Sequence, residues 1–224
     1  MTYSALNKKL LNLLSITVLL ALLLASCAPK TYKSLQSLNG NADCIAAFLP
    51  KYERVLYRTT VDVAGNHLSG ILLIKEMPDS STRLVFSNEA GFKFFDFEFS
   101  KTGDFRVYSI IKKMDKKSVK KTLKKDFQLI LMNKPVSYLK PYWFKGQKED
   151  EKYYAYHEGK DYYYYITNKD CTSLLRLERG SNTKKVTEAL MQLQKDGVPE
   201  SIGIQHKNFN FEINLKRIEE NAEQ

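Results

Sequence analysis

The stretch TRLVFSNEAGFKFFDFEFSKTGDFRVYSIIK, residues 82–112, alternates apolar and polar side chains through three short runs, separated by NEAG and KTGD. Alternation with period two, broken by Gly, Asn and Asp, is the pattern of antiparallel strands joined by tight turns. The runs predict strands at 82–87, 92–100 and 105–112. A three-residue KTG loop with glycine last fits a type I turn plus bulge. It sets Phe99 opposite Phe105, Phe97 opposite Val107 and Glu98 opposite Arg106. If NEAG is a four-residue loop, Leu84 faces Phe95 and Arg83 faces Asp96. One face then carries Leu84, Phe95, Phe97, Phe99, Phe105 and Val107, and the other the charged pairs with Val85, Phe94 and Tyr108. Such a sheet has one dry face and one partly wet face.

Working outward, 52–63 and 68–75 read as two earlier strands, and short connections make the whole an antiparallel meander. CIAAFLPKY, 44–52, suits a helical turn that Pro50 ends. Downstream, Asp115 is placed to cap a helix over 116–132 with Val119, Leu123, Phe127, Ile130 and Leu131 on one stripe, closed by Asn133 and Pro135. Strands resume at 152–157, 162–167 and 171–178. A second helix is expected over 184–196, with Val186, Leu190 and Leu193 inward and Gly197 as its C-terminal cap. Strands at 201–205 and 208–217 close the chain, the last with Phe209, Phe211, Ile213 and Leu215 on one side.

At the other end of the chain, Lys8 and Lys9 precede an uncharged run from Leu10 to Leu24, which shrinks to Ala25, Ser26 and Cys27. Charged, then apolar, then small is a signal-peptide layout. LLLASC, 22–27, resembles a bacterial lipobox, in which Cys27 receives a diacylglyceryl group and becomes the first mature residue. An uncleaved membrane anchor is the alternative, since 10–26 is near the lower length for a span. The expected division is a signal over 1–26, a lipidated cysteine and polar tether over 27–43, and a single domain over 44–220. By resemblance to known sorting signals, Ala28 after the cysteine directs the protein to the outer membrane. The non-acidic PKTY that follows suits the periplasmic side.

Loss of Lys8 and Lys9 with the signal lowers the net charge from +10 to +8. That basicity fits nucleic acid, an anionic membrane or plain solubility. For an exported chain no nucleic acid is expected, and phospholipid headgroups are the better partner. Cys44 and Cys171 remain, either bridged, as an oxidising compartment permits, or as two unpaired buried thiols. No spacing suggests a metal, and no cofactor is expected.

KKMDKKSVKKTLKK, 112–125, holds four lysine pairs spaced every four residues, so Lys116, Lys117, Lys120, Lys121 and Lys124 fall on one broad helix face. A solvated face is the plainer reading and a membrane-binding surface the sharper one. The tyrosines of YYAYHEGKDYYYY point to both sides of their strands. They either pack in the sheet or line an amphipathic pocket, over which Trp143 and Phe144, read as a loop, could close. His67, His157 and His206 fall near turns or strand ends with no catalytic motif nearby, and Asp96 and Glu98 each have an arginine opposite, so no enzyme is expected.

Two segments, LSGILLIKEMPDSSTRLVFSNEAGFKFFDFEFS and DGVPESIGIQHKNFNFEINLKR, resemble the early meander and closing strands of the LolA/LolB group of lipoprotein carriers and receptors. The resemblance implies an α+β fold, a curved antiparallel half-barrel of about ten or eleven strands closed by two or three helices. It also implies an apolar cavity for acyl chains, for which Phe95, Phe97, Phe99, Phe127, Phe209 and Phe211 are the candidates. The chain departs from the group where an exposed apolar residue marks an early hairpin loop. NEAG is polar, and Met77 is the nearest substitute. Two functions stay open: a non-catalytic lipid-anchored protein binding a lipid or lipidated protein, and an envelope adaptor that docks a protein and has no ligand cavity. Its oligomeric state is not legible.

Overall fold

A computed structural model describes residues 32–63, 65–144 and 150–219, with residue 144 described by its backbone alone. The chain divides into two units, Met1–Thr31 and Tyr32–Gln224, and the first lies outside the described residues. In the second, β1 (Leu35–Ser37) and a 3-10 turn (Asp43–Phe48) precede the meander β2 (Arg54–Val63), β3 (Asn66–Glu76), β4 (Thr82–Ser87), β5 (Lys93–Phe99) and β6 (Phe105–Ile110). Helix α1 (Lys117–Leu131) follows. Then come a second 3-10 turn (Val136–Tyr138), β7 (Lys140–Phe144), β8 (Glu151–Glu158), β9 (Asp161–Asn168), β10 (Leu174–Gly180), β11 (Lys185–Leu193), β12 (Pro199–His206) and β13 (Phe211–Arg217).

All thirteen strands form one sheet in the order β1-β7-β8-β9-β10-β11-β12-β13-β2-β3-β4-β5-β6. Every neighbouring pair is antiparallel. The closing strand β13 pairs with β2, so the meander and the C-terminal strands become one surface. Among the described residues its edges, β1 and β6, do not pair, so the sheet is open. Lys134, just past α1, lies 3.5 Å from Glu158 at the end of β8 and 3.2 Å from where a Cβ on Gly103 would stand, at the β5–β6 turn. Distant strands are thus drawn round the helix.

This corrects the expected architecture: thirteen strands instead of ten or eleven, and one α-helix among the described residues where two or three were expected. The second helix is strand β11. Its Ala, Glu, Leu, Met and Gln are good helix formers, but Thr187, Ala189 and Met191 alternate into the core while Leu190 points out. Backbone pairing to β10 on one side and β12 on the other overrides local propensity. Gly197 does take a left-handed conformation, φ +81, but in the Asp-Gly turn that joins β11 to β12. KPYWF, read as a loop, is β7, and β1 forms within the polar stretch read as tether.

The meander matches its reading closely, with one shift. Phe97 stands opposite Val107, Glu98 opposite Arg106 and Phe99 opposite Phe105. Across β4–β5, however, Leu84 faces Phe97 and Arg83 faces Glu98, two residues from the expected register. The loop is longer than NEAG: Asn88 bonds Phe92 through both backbone and side chain, and a bulge follows Phe86. A shift of two preserves the faces, so Leu84, Phe95, Phe97 and Phe99 are all buried. Arg83 still bonds Asp96, now diagonally.

Helix α1 lays Leu123, Phe127 and Ile130 on the concave face and ends at Met132, φ +48. Asp115 does not cap it. Its carboxylate accepts a bond from Lys120 Nζ at 2.6 Å, and Lys116 holds the N-cap position without a side-chain bond.

Candidate functional site

The aromatic residues singled out for a ligand cavity mostly converge. Phe95, Phe97, Phe99, Phe127 and Phe211 are buried in one core, with Phe95 and Phe97 stacked at 4.3 Å and Phe127 tilted against Phe95 at 5.6 Å. Phe209 is not among them. It lies in the β12–β13 turn, 45% exposed, over His206 and Phe211. The hollow left between α1 and the sheet, bounded by Leu72, Phe86, Phe95, Met114, Leu123 and Phe127, measures about 20 Å³. That is room for about one water and no acyl chain. The concave face is filled by its own side chains.

Beside this apolar core is a polar cluster. Asp126, on the inner face of α1, is fully buried. His206 Nε2 donates to its Oδ2 at 2.8 Å, and the Arg179 guanidinium lies 3.5 Å from Oδ1. Arg179 also donates to Thr187 Oγ1 at 2.6 Å and to Asp161 Oδ1 at 3.2 Å, and Lys125 bonds Asp161 from the helix. Among the described residues Asp126 Oδ1, Arg179 Nε and His206 Nδ1 lack hydrogen-bond partners, while the Tyr156 and Tyr165 hydroxyls meet each other. Burial pushes both tyrosines above the usual phenol range. The seat of α1 is therefore part apolar and part ionic, with donors and acceptors that water could satisfy.

Sequence reasoning missed this cluster. Asp126 had a signal, since it lies three residues after Leu123 and four before Ile130, on the apolar stripe itself. Arg179 and His206 had none, because only sheet pairing brings β10 and β12 beneath the helix.

Of the lysines on the helix face, Lys120 pairs with Asp115 and Lys124 lies 3.9 Å from Glu158, whereas Lys116, Lys117 and Lys121 make no ion pair among the described residues. Cys44 and Cys171 form a disulfide that ties the first 3-10 turn to the β9–β10 turn. Cys27 lies outside the described residues. Phe92, immediately after NEAG, is 57% exposed at its hairpin, so the apolar side chain there is Phe92 and not Met77. No group of three or more His, Cys, Asp or Glu able to hold a metal occurs among the described residues.

The tyrosine-rich strands split by parity. Tyr154, Tyr156, Tyr163 and Tyr165 face the core, while Tyr153 and Tyr164 face outward with Ala155 and Ile166. Tyr32 covers this outer group. Its ring stacks on Tyr164 at 4.2 Å and its hydroxyl donates to Glu178 Oε2 at 2.5 Å. Burial, then the neighbouring Glu178 charge, holds the Tyr32 phenol far above its usual range. Glu178 is bonded in turn by Arg176, which also grips Glu151 with two bonds of 2.8 Å.

No protein-family model matches the sequence, and no curated protein matches it. Among solved structures, a DUF1329 family protein from Desulfovibrio piger is similar at 10% identity and TM-score 0.42, over 82% of this chain and 92% of that one. A domain from Vibrio parahaemolyticus named for outer membrane lipoprotein sorting is similar at 5% identity and TM-score 0.44, over 80% of this chain and 90% of that one.

Proposed function

We propose that this chain is a non-catalytic envelope protein, anchored to the periplasmic side of the outer membrane by acyl groups on Cys27, that takes a lipid or an acylated protein against its concave sheet face. The observation that carries this reading is the mixed seat of α1. Leu123 and Phe127 of the one helix cover Phe86 and Phe95 of the sheet, and its buried Asp126 cluster keeps polar atoms without a hydrogen bond among the described residues. Lifting the helix would hydrate those atoms, which offsets part of the cost of uncovering the phenylalanines. An acyl chain then replaces the helix stripe, each buried methylene contributing about 0.8 kcal/mol. Hydrogen exchange on the mature chain, with and without a fatty acid, tests it. Binding should speed exchange of the α1 amides, and binding with unchanged α1 protection would refute the concave-face route. Incorporation of a palmitate analogue, lost in Cys27→Ser, tests the anchor.

A second reading is favoured by the small hollow of about 20 Å³. In it the core stays filled by its own side chains, and the protein is an adaptor whose basic helix face docks a partner. A folded chain that takes no acyl ligand would establish it over the first.

A further inference from the structure

Among the described residues three glycines lie within strands, and two of them are forced by the fold. A Cβ on Gly70 would stand 2.1 Å from the Ser87 carbonyl oxygen, and one on Gly180 would stand 2.2 Å from that of Lys184. Gly203 is different. It sits mid-way along β12, its φ lies outside the left-handed range, and an added Cβ would meet only Asn214 Oδ1 at 3.4 Å. No bulge interrupts its pairing with Leu190 or Asn214. A strand glycine costs order and side-chain packing, and commonly marks a close approach to the backbone. Nothing within the described protein makes that approach at Gly203.

What lies above it is a trough of about 920 Å³ on the outer face of the sheet. Leu190, Gly203, Asn214 and Thr60 stand in register across β11, β12, β13 and β2 to form its floor. Leu190 is 57% exposed and Leu175, also exposed, borders it. Along one side stand Lys216 and Arg58, themselves in register. Lys216 is bonded to Glu200 at 2.5 Å, while Arg58 is exposed and makes no ion pair among the described residues. The volume suits a small-molecule site, about 300–1,000 Å³. Exposed leucines at one side, a partly polar floor and a cationic margin complement an amphiphile with an anionic head.

The trough shares its face with the seat of Tyr32. Tyr32 bonds Glu178, Glu178 pairs with Glu188, and Leu190 is two residues further along β11. Only four residues separate Tyr32 from Cys27, a reach of about 18 Å when fully extended.

We propose that the trough is a standing seat for an anionic phospholipid, with an acyl chain over Gly203 alongside Leu190 and the phosphate against Arg58 and Lys216. This site goes beyond the concave-face reading, needs no movement of α1, and shares with that reading only the anchor. The test is titration of the ¹⁵N-glycine-labelled mature chain, residues 27–224, with monomeric dihexanoyl phosphatidylglycerol. The Gly203 amide should shift saturably while those of Gly70 and Gly180 stay in place. Gly203→Leu, which the open floor accommodates, should abolish binding with the other glycine signals unmoved. Arg58→Gln should weaken it about five-fold. The same Gly203 shift with inorganic phosphate alone would overturn the lipid in favour of a free anion. Lipid binding that leaves Gly203 unmoved, or survives Gly203→Leu, would overturn the trough and leave the concave-face reading standing. Failure to bind this lipid or any fatty acid would overturn both.

Discussion

Asp126→Ala should be among the most damaging single changes in the domain. The carboxylate is fully buried, and its removal strands two groups, the His206 ring that donates to it at 2.8 Å and the Arg179 guanidinium at 3.5 Å. Arg179 would keep Asp161 at 3.2 Å, but as its remaining acidic partner in a site that is 5% exposed on the arginine side. Breaking a buried ion pair by deleting one partner costs about 3–5 kcal/mol, because the other charge stays desolvated. Replacing Asp126, Arg179 and His206 together with Leu, Met and Phe should instead be neutral or stabilising by about 1–4 kcal/mol, since no charge is then left buried. Urea unfolding followed by far-UV circular dichroism measures both, and an unchanged m-value keeps the comparison sound. A loss below about 1 kcal/mol for Asp126→Ala would refute the reasoning, because it would mean that water already reaches the cluster. A triple variant as unstable as the single one would show that the cluster itself holds the helix down.

Phe97→Ala, at a fully buried ring stacked on Phe95, should cost about 3–5 kcal/mol by urea unfolding. Reducing the Cys44–Cys171 bridge, which spans 127 residues, should lower stability by about 4–5 kcal/mol in the chain-entropy model, readable as a drop in urea midpoint. Burial acts to raise the Asp96 carboxyl, but Arg83 and Lys93 outweigh it and hold it below its ordinary value. Its stabilisation is therefore present above the unfolded carboxylate range, near about pH 4, and is lost as pH falls through the folded value. Asp96→Asn should flatten the acid limb of stability against pH, and an unchanged limb would refute the pairing. Burial raises Tyr52, Tyr57, Tyr156, Tyr163 and Tyr165, so these phenols favour the fold below about pH 10, and that contribution is lost as pH climbs toward their folded values. Absorbance at 295 nm should show their ionisation together with loss of circular dichroism, and ionisation well before unfolding would contradict their burial.

Period-two alternation in 82–112 was enough to place three strands and the buried side of Leu84, Phe95, Phe97 and Phe99, although Phe105 and Val107 at the sheet edge are only half-buried, because side-chain parity in a strand is a local property of the backbone. The KTG register was legible for the same reason: glycine at a defined turn position leaves one way to pair Glu98 with Arg106. Helix α1 was legible from Leu123, Phe127 and Ile130, whose spacing has no strand equivalent. The β4–β5 register was not, since Asn88 lengthens the loop through a bond to Phe92 that no periodicity announces. Residues 185–193 carried a helix former's composition and a terminal Gly. Only the two flanking strands, each offering a full row of unpaired N–H and C=O groups, decided that they extend. β1 and β7 were hidden likewise, being short edge strands defined by their partners and not by their own pattern. The Asp126–His206–Arg179 cluster and the Gly203 floor lie deepest in this class. The cluster joins residues 80 positions apart and the floor joins Thr60 to Gly203 and Asn214 across still more of the chain, and a contact between them is a property of the sheet's pairing order, which no local stretch of chain encodes.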